Sequence, residues 1–311
     1  MLRQWMGRCV LAAMVMALGC GSAHATNFAV LLDPGKNDED LELSNVDSIT
    51  MGDLVIDERE MTTGADWDYR VYGPGDAHYG SITIRVWRAQ GQQNLLQWWS
   101  QTSKGKDIRK NITVDVKKSD GGDARKYNFL DCFPTKWKAG ERVPGSRLPV
   151  LDTLVVQPQG FTMEAGEEAA PSKPTGLSIG IAGDDGQLSI DEDFTSWGGG
   201  APVFVDESGF RDTKFRTPSP GHKFVDSLTL RGPLTSGRKA LCQWITEVVQ
   251  GKPWKRSVTV TEILKDGSAG KTFLYEDCFP IRYVFPQLKA GSSTVQTETL
   301  TVKIGRIEFK T

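Results

Sequence analysis

Two cysteines occupy identical settings, Asp131-Cys132-Phe133-Pro134 and Asp277-Cys278-Phe279-Pro280. A thiol beside a carboxylate is a candidate nucleophile, but it needs a base, usually His, within hydrogen-bond reach. The sequence has three histidines, His24, His78 and His222. The shift of 146 residues that carries Asp131 to Asp277 would carry His78 to Phe224, so no Cys–His pair is repeated. Cys132 and Cys278 are therefore expected to act as small buried apolar side chains before a strand-ending Phe-Pro. The acidic runs at 37–40, 184–185 and 191–193 lack the spacing of a calcium loop. There is no paired-Cys zinc pattern, phosphate loop or Gly-x-Ser-x-Gly elbow. No catalytic, metal or cofactor residue is assigned, and the chain is not expected to be an enzyme. Its formal charge of −2 gives no footprint for a nucleic acid.

The first 25 residues have the form of a secretory signal. Arg3 and Arg8 precede an apolar run from Cys9 to Gly21, and Ala23 and Ala25 place a cleavage site before Thr26. The run is shorter than the roughly 20 residues of a membrane span. Membrane attachment is expected only if Cys20 is lipidated. The mature chain is placed in the periplasm, at the outer membrane or outside the cell. It would keep Cys132, Cys242 and Cys278, an odd number that argues against a disulfide framework.

The elements that hold these residues come in two copies. The same 146-residue shift carries Ser81–Arg85 onto Ser227–Arg231, Gln97-Trp98 onto Gln243-Trp244, and Thr153-Leu154 onto Thr299-Leu300. The mature chain reads as two domains, 27–161 and 177–311, joined by a linker at 162–176. Alternating apolar residues at Ile82/Ile84/Val86, Ile112/Val114/Val116 and Leu300/Val302/Ile304 predict strands with one face on a core and one on water. One helix per copy is predicted, at 94–102 and 239–250, each stopped near Gly105 or Gly251. Trp98 and Trp244 occupy matching helix positions and are expected to be core anchors. The fold class is mainly β, two tandem barrel-like domains each with a flanking helix.

The ordered set Thr229, Leu230, Arg231, Gly232, Trp244, Gly251, Lys252, Arg256, Asp266, Gly267, Phe279, Pro280, Glu298 and Leu300 resembles the tail-tube family of contractile phages. The first copy keeps Thr83, Arg85, Trp98, Gly105, Lys106, Arg109, Asp120, Gly121, Phe133, Pro134 and Leu154, with Val86 for the glycine and Asp152 for the glutamate. The resemblance implies a β-barrel-like domain, shared with the tube protein of type VI secretion, that forms six-membered rings stacking into a tube. It also implies an extended hairpin at 45–73 and 192–219. For a tandem chain it implies self-association of three copies into a pseudo-hexamer, with sheath-like or baseplate-like partners. This chain differs from that family in being duplicated and in carrying an export signal. The alternative is a periplasmic or surface β-barrel module holding a glycan or a protein, with exposed aromatics expected among Trp67, Trp87, Trp137 and Trp197.

Overall fold

Strands form where apolar side chains alternate, and each predicted run does so. A computed structural model describes residues 27–33, 41–61, 71–88, 93–118, 121–142, 150–166, 176–182, 188–191, 194–206, 220–235, 238–252, 254–292 and 294–310. The signal segment, Trp67 and the acidic runs at 37–40 and 184–185 lie outside these residues.

The first half contains β1 (Asn27–Leu32), β2 (Leu41–Glu42), β3 (Val46–Thr50), β4 (Leu54–Met61), β5 (Val71–Tyr79) and β6 (Ile82–Trp87). It continues with α1 (Gln93–Ser103), β7 (Lys110–Lys117), β8 (Asp123–Lys138), β9 (Leu151–Gln157) and β10 (Gly160–Ala165). The second half contains β11 (Leu177–Ala182), β12 (Leu188–Asp191), β13 (Ser196–Gly199), β14 (Pro202–Asp206), β15 (Pro220–Val225) and β16 (Leu228–Pro233). There follow α2 (Lys239–Val249), β17 (Arg256–Ile263), β18 (Ala269–Val284), β19 (Leu288–Lys289), β20 (Thr297–Lys303) and β21 (Arg306–Lys310). The chain is mainly β, with one helix in each half among the described residues. β10 runs through Ala165, into the stretch the sequence reads as linker, because Gly160–Ala165 pairs along Arg125–Leu130 of β8.

The helices end as expected. Gly105 and Gly251 take φ values of 80° and 70°, the left-handed conformation that glycine adopts without a Cβ penalty. Trp98 and Trp244 are 1% and 0% exposed. Their indole N–H groups donate to the carbonyls of Ile108 (2.9 Å) and Trp254 (2.8 Å), at corresponding places in the two copies. They are core anchors. One expectation about the strands needs revising: on β7 the polar-face residues Thr113 and Asp115 are also buried. β7 lies between β1 and β8, Thr113 bonds Asn128 at 2.9 Å, and Lys117 closes over Asp115.

The Asp-Cys-Phe-Pro segments are not strand ends. Each lies inside one of the 16-residue strands β8 and β18. Asp131 and Asp277 have φ of 48° and 52°, in the left-handed region that aspartate tolerates better than most residues. Through Leu130 β8 pairs with β10 and through Cys132 with β7; from Phe133 onward it pairs with β9. β18 repeats this with β17 and β21, then β20. The register shifts next to Pro134 and Pro280. A proline, which cannot donate to a ladder, is accommodated at such an irregularity. The repeated motif is a corner at which one long strand passes from one part of the curled sheet to another.

The apolar core is continuous through both halves. The sheets are shared too. β19, from the second half, pairs with β3 through Leu288↔Ile49 and Lys289↔Ser48. β4, from the first half, pairs with β18 through Leu54↔Tyr283 and Val55↔Arg282.

Candidate functional site

The residues first considered for chemistry are placed against it. Cys132 and Cys278 are fully buried, each with its thiol directed at a carbonyl two residues back, Leu130 and Glu276. Burial pushes the Cys132 thiol up to about 12 and raises that of Cys278 further, so both stay protonated. His78 is exposed on β5 and pairs with Asp57 at 2.9 Å rather than with a cysteine. The side chain of His222 lies outside the described residues. No cluster of metal-ligating side chains occurs among the described residues. Trp87, Trp137 and Trp197 are half-buried, and Trp197 packs on Phe273 with ring centroids 5.1 Å apart.

Arg256 and Arg109 are assigned to the same family position, but the 146-residue shift carries Arg109 to Lys255 and Lys110 to Arg256, and the structure follows the shift. Arg256 is opposite Cys278 in its ladder, and the residue opposite Cys132 is Lys110, not Arg109. Arg256 is buried; it bonds Glu247 of α2 at 2.6 Å and reaches the Ala240 carbonyl, fixing the helix to the sheet. Arg109 is one residue earlier, over the Phe133 ring at 5.3 Å.

The built polar site is the joint between the halves. Glu298 of β20 is 1% exposed and stands between Arg125 of β8 and Arg238, the residue before α2. Arg238 Nη1 donates to Glu298 Oε1, and Arg125 Nη1 is 3.5 Å from Oε2. The Tyr283 hydroxyl also donates to Oε2, and the Tyr127 hydroxyl is 3.5 Å from that of Tyr283. Arg125 Nη2 donates to the Thr235 carbonyl at 2.8 Å, and the Arg238 guanidinium lies 3.9 Å above the Phe194 ring. Burial pushes the Tyr283 and Tyr127 hydroxyls well up, so both remain neutral donors. Burial is the largest single influence on Arg125 and would lower it, but the opposing charges around it, Glu298 foremost, together hold the guanidinium well above its ordinary value. Two cations share one anion, 173 residues from Arg125 along the chain.

Beside this cluster Phe285 enters the first half. Its ring lies 5.4 Å from Tyr127, 5.8 Å from Phe129 and 5.1 Å from Phe161, and the Tyr127 and Phe161 contacts are edge-to-face. Thr246 of α2 caps the β10 edge, accepting from the Met163 N–H at 3.1 Å and facing its carbonyl at 3.3 Å. At the rim Arg282 Nε donates to Asp53 at 3.0 Å, and Lys303 bonds Glu58 at 2.7 Å. The joint has the parts of a stable protein–protein interface: an aromatic anchor, a buried charge cluster and shared strand edges.

Sequence reasoning had Glu298 as a family position but missed its partners. The signal for Glu298 was present: it lies on the same period-2 face as Leu300, Val302 and Ile304, so it had to point inward. Nothing local in sequence joins it to Arg125 or Arg238.

No curated protein matches the chain. Solved structures that resemble it include the sheath–tube complex of the extracellular contractile injection system PVC, at 18% identity, covering 48% of this chain and 93% of that one with a TM-score of 0.36. Hcp1 from Flavobacterium johnsoniae matches at 17% identity, covering 44% of this chain and 93% of that one with a TM-score of 0.27. Hcp1 from Salmonella typhimurium matches at 14%, covering 44% and 85%, with a TM-score of 0.28. A family model described as T4-like virus tail tube protein gp19 matches residues 24–146 and again 206–308. With most of the chain matched in two successive segments, one in each half, the protein belongs to the T4-like tail tube family, present here in tandem.

Proposed function

We propose that this chain is an exported structural protein, without a catalytic role, whose two tail-tube-like units build a pseudo-hexameric ring from three chains or stack into a tubular filament. The observation that carries the reading is reciprocal strand addition at the internal joint. β4 of the first half extends the sheet of the second, and β19 of the second extends that of the first. Each unit thus supplies an edge and covers one, the arrangement by which repeated domains close a sheet around a lumen. The units are taken as 27–161 and 177–311 with a connector at 162–176. Assembly is placed outside the cytoplasm, after removal of residues 1–25, with sheath-like or baseplate-like proteins as further partners.

Negative-stain microscopy and native mass determination of the mature protein test this. Rings with a mass of three chains, alone or stacked, are expected. A strictly monomeric species at every concentration would sink the reading. N-terminal sequencing of the exported protein should begin at Thr26, and a retained leader would remove the export step.

A further inference from the structure

The internal joint uses one face of each half, which leaves the opposite face of each without its counterpart. We propose that a second copy of this chain docks there, its β14 edge adding to the free edge of β8 at Lys136 and Trp137. The proposal rests on the ring reading and deepens it by naming the surface through which one chain meets the next.

Four correspondences carry it. First, Arg282 and Tyr283 of β18 face Thr301 and Leu300 of β20 on one side and β4 on the other. Their counterparts one repeat earlier, Lys136 and Trp137, face Val155 and Leu154 of β9 in the same register, with no described strand on the other side. Second, β14 pairs with β15 through Pro202↔Val225 and Val203↔Phe224, the register in which β4 pairs with β5 through Leu54↔Tyr79 and Val55↔His78. β4 goes on to pair with β18, whereas β14 and β15 form a two-stranded sheet of their own.

Third, β13 pairs with β16 through Ser196↔Arg231 as β3 pairs with β6 through Ser48↔Arg85. The outer edge of β3 carries β19, while β13 is the last strand on its sheet path. Fourth, Thr246, which caps the edge of β10, has Ser100 as its counterpart on α1, so the edge-capping hydroxyl is kept. The edge it would cap is β21, which pairs along β18 as β10 pairs along β8. The predicted contacts are Val203↔Lys136 and Pro202↔Trp137. Pro202 is the first residue of its strand, where a missing N–H is tolerated.

The two complementary surfaces lie on different halves, so a self-complementary dimer cannot satisfy them; only head-to-tail addition can. The chain-to-chain joint is also chemically lighter than the internal one. The place of the Phe285 anchor is taken by exposed Ala139, and that of buried Arg125 by exposed Lys271. Glu298 corresponds to Asp152, whose carboxylate is already held by Arg88 at 3.0 Å and by the Gly140 N–H at 2.8 Å. The joint within the chain is thus the permanent one and the joint between chains the one that opens.

The test is disulfide trapping in the full chain carrying Cys9→Ser and Cys20→Ser, with Lys136→Cys and Val203→Cys added. Cys132, Cys242 and Cys278 are buried and do not compete. Val55→Cys with Arg282→Cys, which face each other within the chain, is the control and should cross-link internally. Under a mild oxidant the test pair should join chains covalently, ending at a closed trimer. Multimers that grow without limit would keep this joint and refute the ring. A closed ring of defined mass whose test cysteines stay reduced, while the control cross-links, would keep the ring and overturn this joint. Monomer alone, with the control cross-linked, overturns both. Independently, Ala139→Phe should tighten chain-to-chain association about tenfold or more by restoring the missing anchor. An unchanged or weaker association would count against the surface.

Discussion

Replacing Glu298 by Gln tests the charge arithmetic of the internal joint. The cluster holds two guanidinium groups and one carboxylate, all within 1% exposure. Glu298→Gln keeps the shape and still offers an oxygen to the Tyr283 hydroxyl, but it leaves Arg125 and Arg238 facing each other with no anion. Stripping the partner from a buried ion pair costs about 3–5 kcal/mol, because the remaining charge has neither water nor counter-charge. A domain's whole stability is typically about 5–15 kcal/mol, so the loss would be a large fraction of it. Equilibrium unfolding of the full chain in urea, followed by tryptophan fluorescence and circular dichroism, reads the change as a lowered midpoint.

Arg125→Met supplies the contrast. It leaves one cation on one anion, the Arg238–Glu298 contact, and so should cost less than Glu298→Gln. The double replacement should cost less than the sum of the two single ones, because Met removes one of the cations that Gln strands. A Glu298→Gln loss below about 1 kcal/mol, or strict additivity in the cycle, would refute the claim that one carboxylate neutralises two buried arginines.

Phe285→Ala should destabilise the chain by about 3–5 kcal/mol, since the ring is nearly fully buried among aromatic partners of the other half; calorimetry checks it. Asp277→Ala should cost about 1–2 kcal/mol through its φ of 52°, while Asp277→Gly should recover most of that loss, as thermal midpoints would show. Burial weakens the acidity of Cys132, Cys278 and Tyr275, which predicts alkaline sensitivity. Stability from these groups is fully present below the ordinary thiol value of 9.0 and is lost as pH rises toward about 12, because the unfolded chain releases protons that the folded chain keeps. The opposite sign holds for Asp152: burial would raise its carboxyl, but the bonds from Arg88 and the Gly140 N–H together hold it below the ordinary value of 3.8. Its contribution is present above that value and is lost as pH falls through the depressed one, measurable as a difference between the parent and Asp152→Asn.

The elements were legible because each is specified locally. Ile82/Ile84/Val86 and Leu300/Val302/Ile304 alternate, the helices carry one apolar stripe each, and Gly105 and Gly251 stop them. The duplication was legible because it preserves spacing over most of the chain. The corner at Asp131 and Asp277 is not legible, because a proline ordinarily ends a strand and the register shift that admits it here depends on neighbouring strands. The joint was less legible still, because the duplication hides it. Arg125, Arg238, Tyr127 and Phe285 correspond to Lys271, Gln92, Phe273 and Ala139, so matching the copies selects against the residues that matter. Two domains of one chain meet at one joint through surfaces that a symmetric ring would use at every joint. Once they are fused, the joint within the chain is free to acquire a buried carboxylate and an aromatic anchor that the proposed joint between chains lacks. The sequence differences between the halves are then not drift around a common fold. In the proposed ring they separate a joint made once, when the chain folds, from a joint made again whenever chains meet.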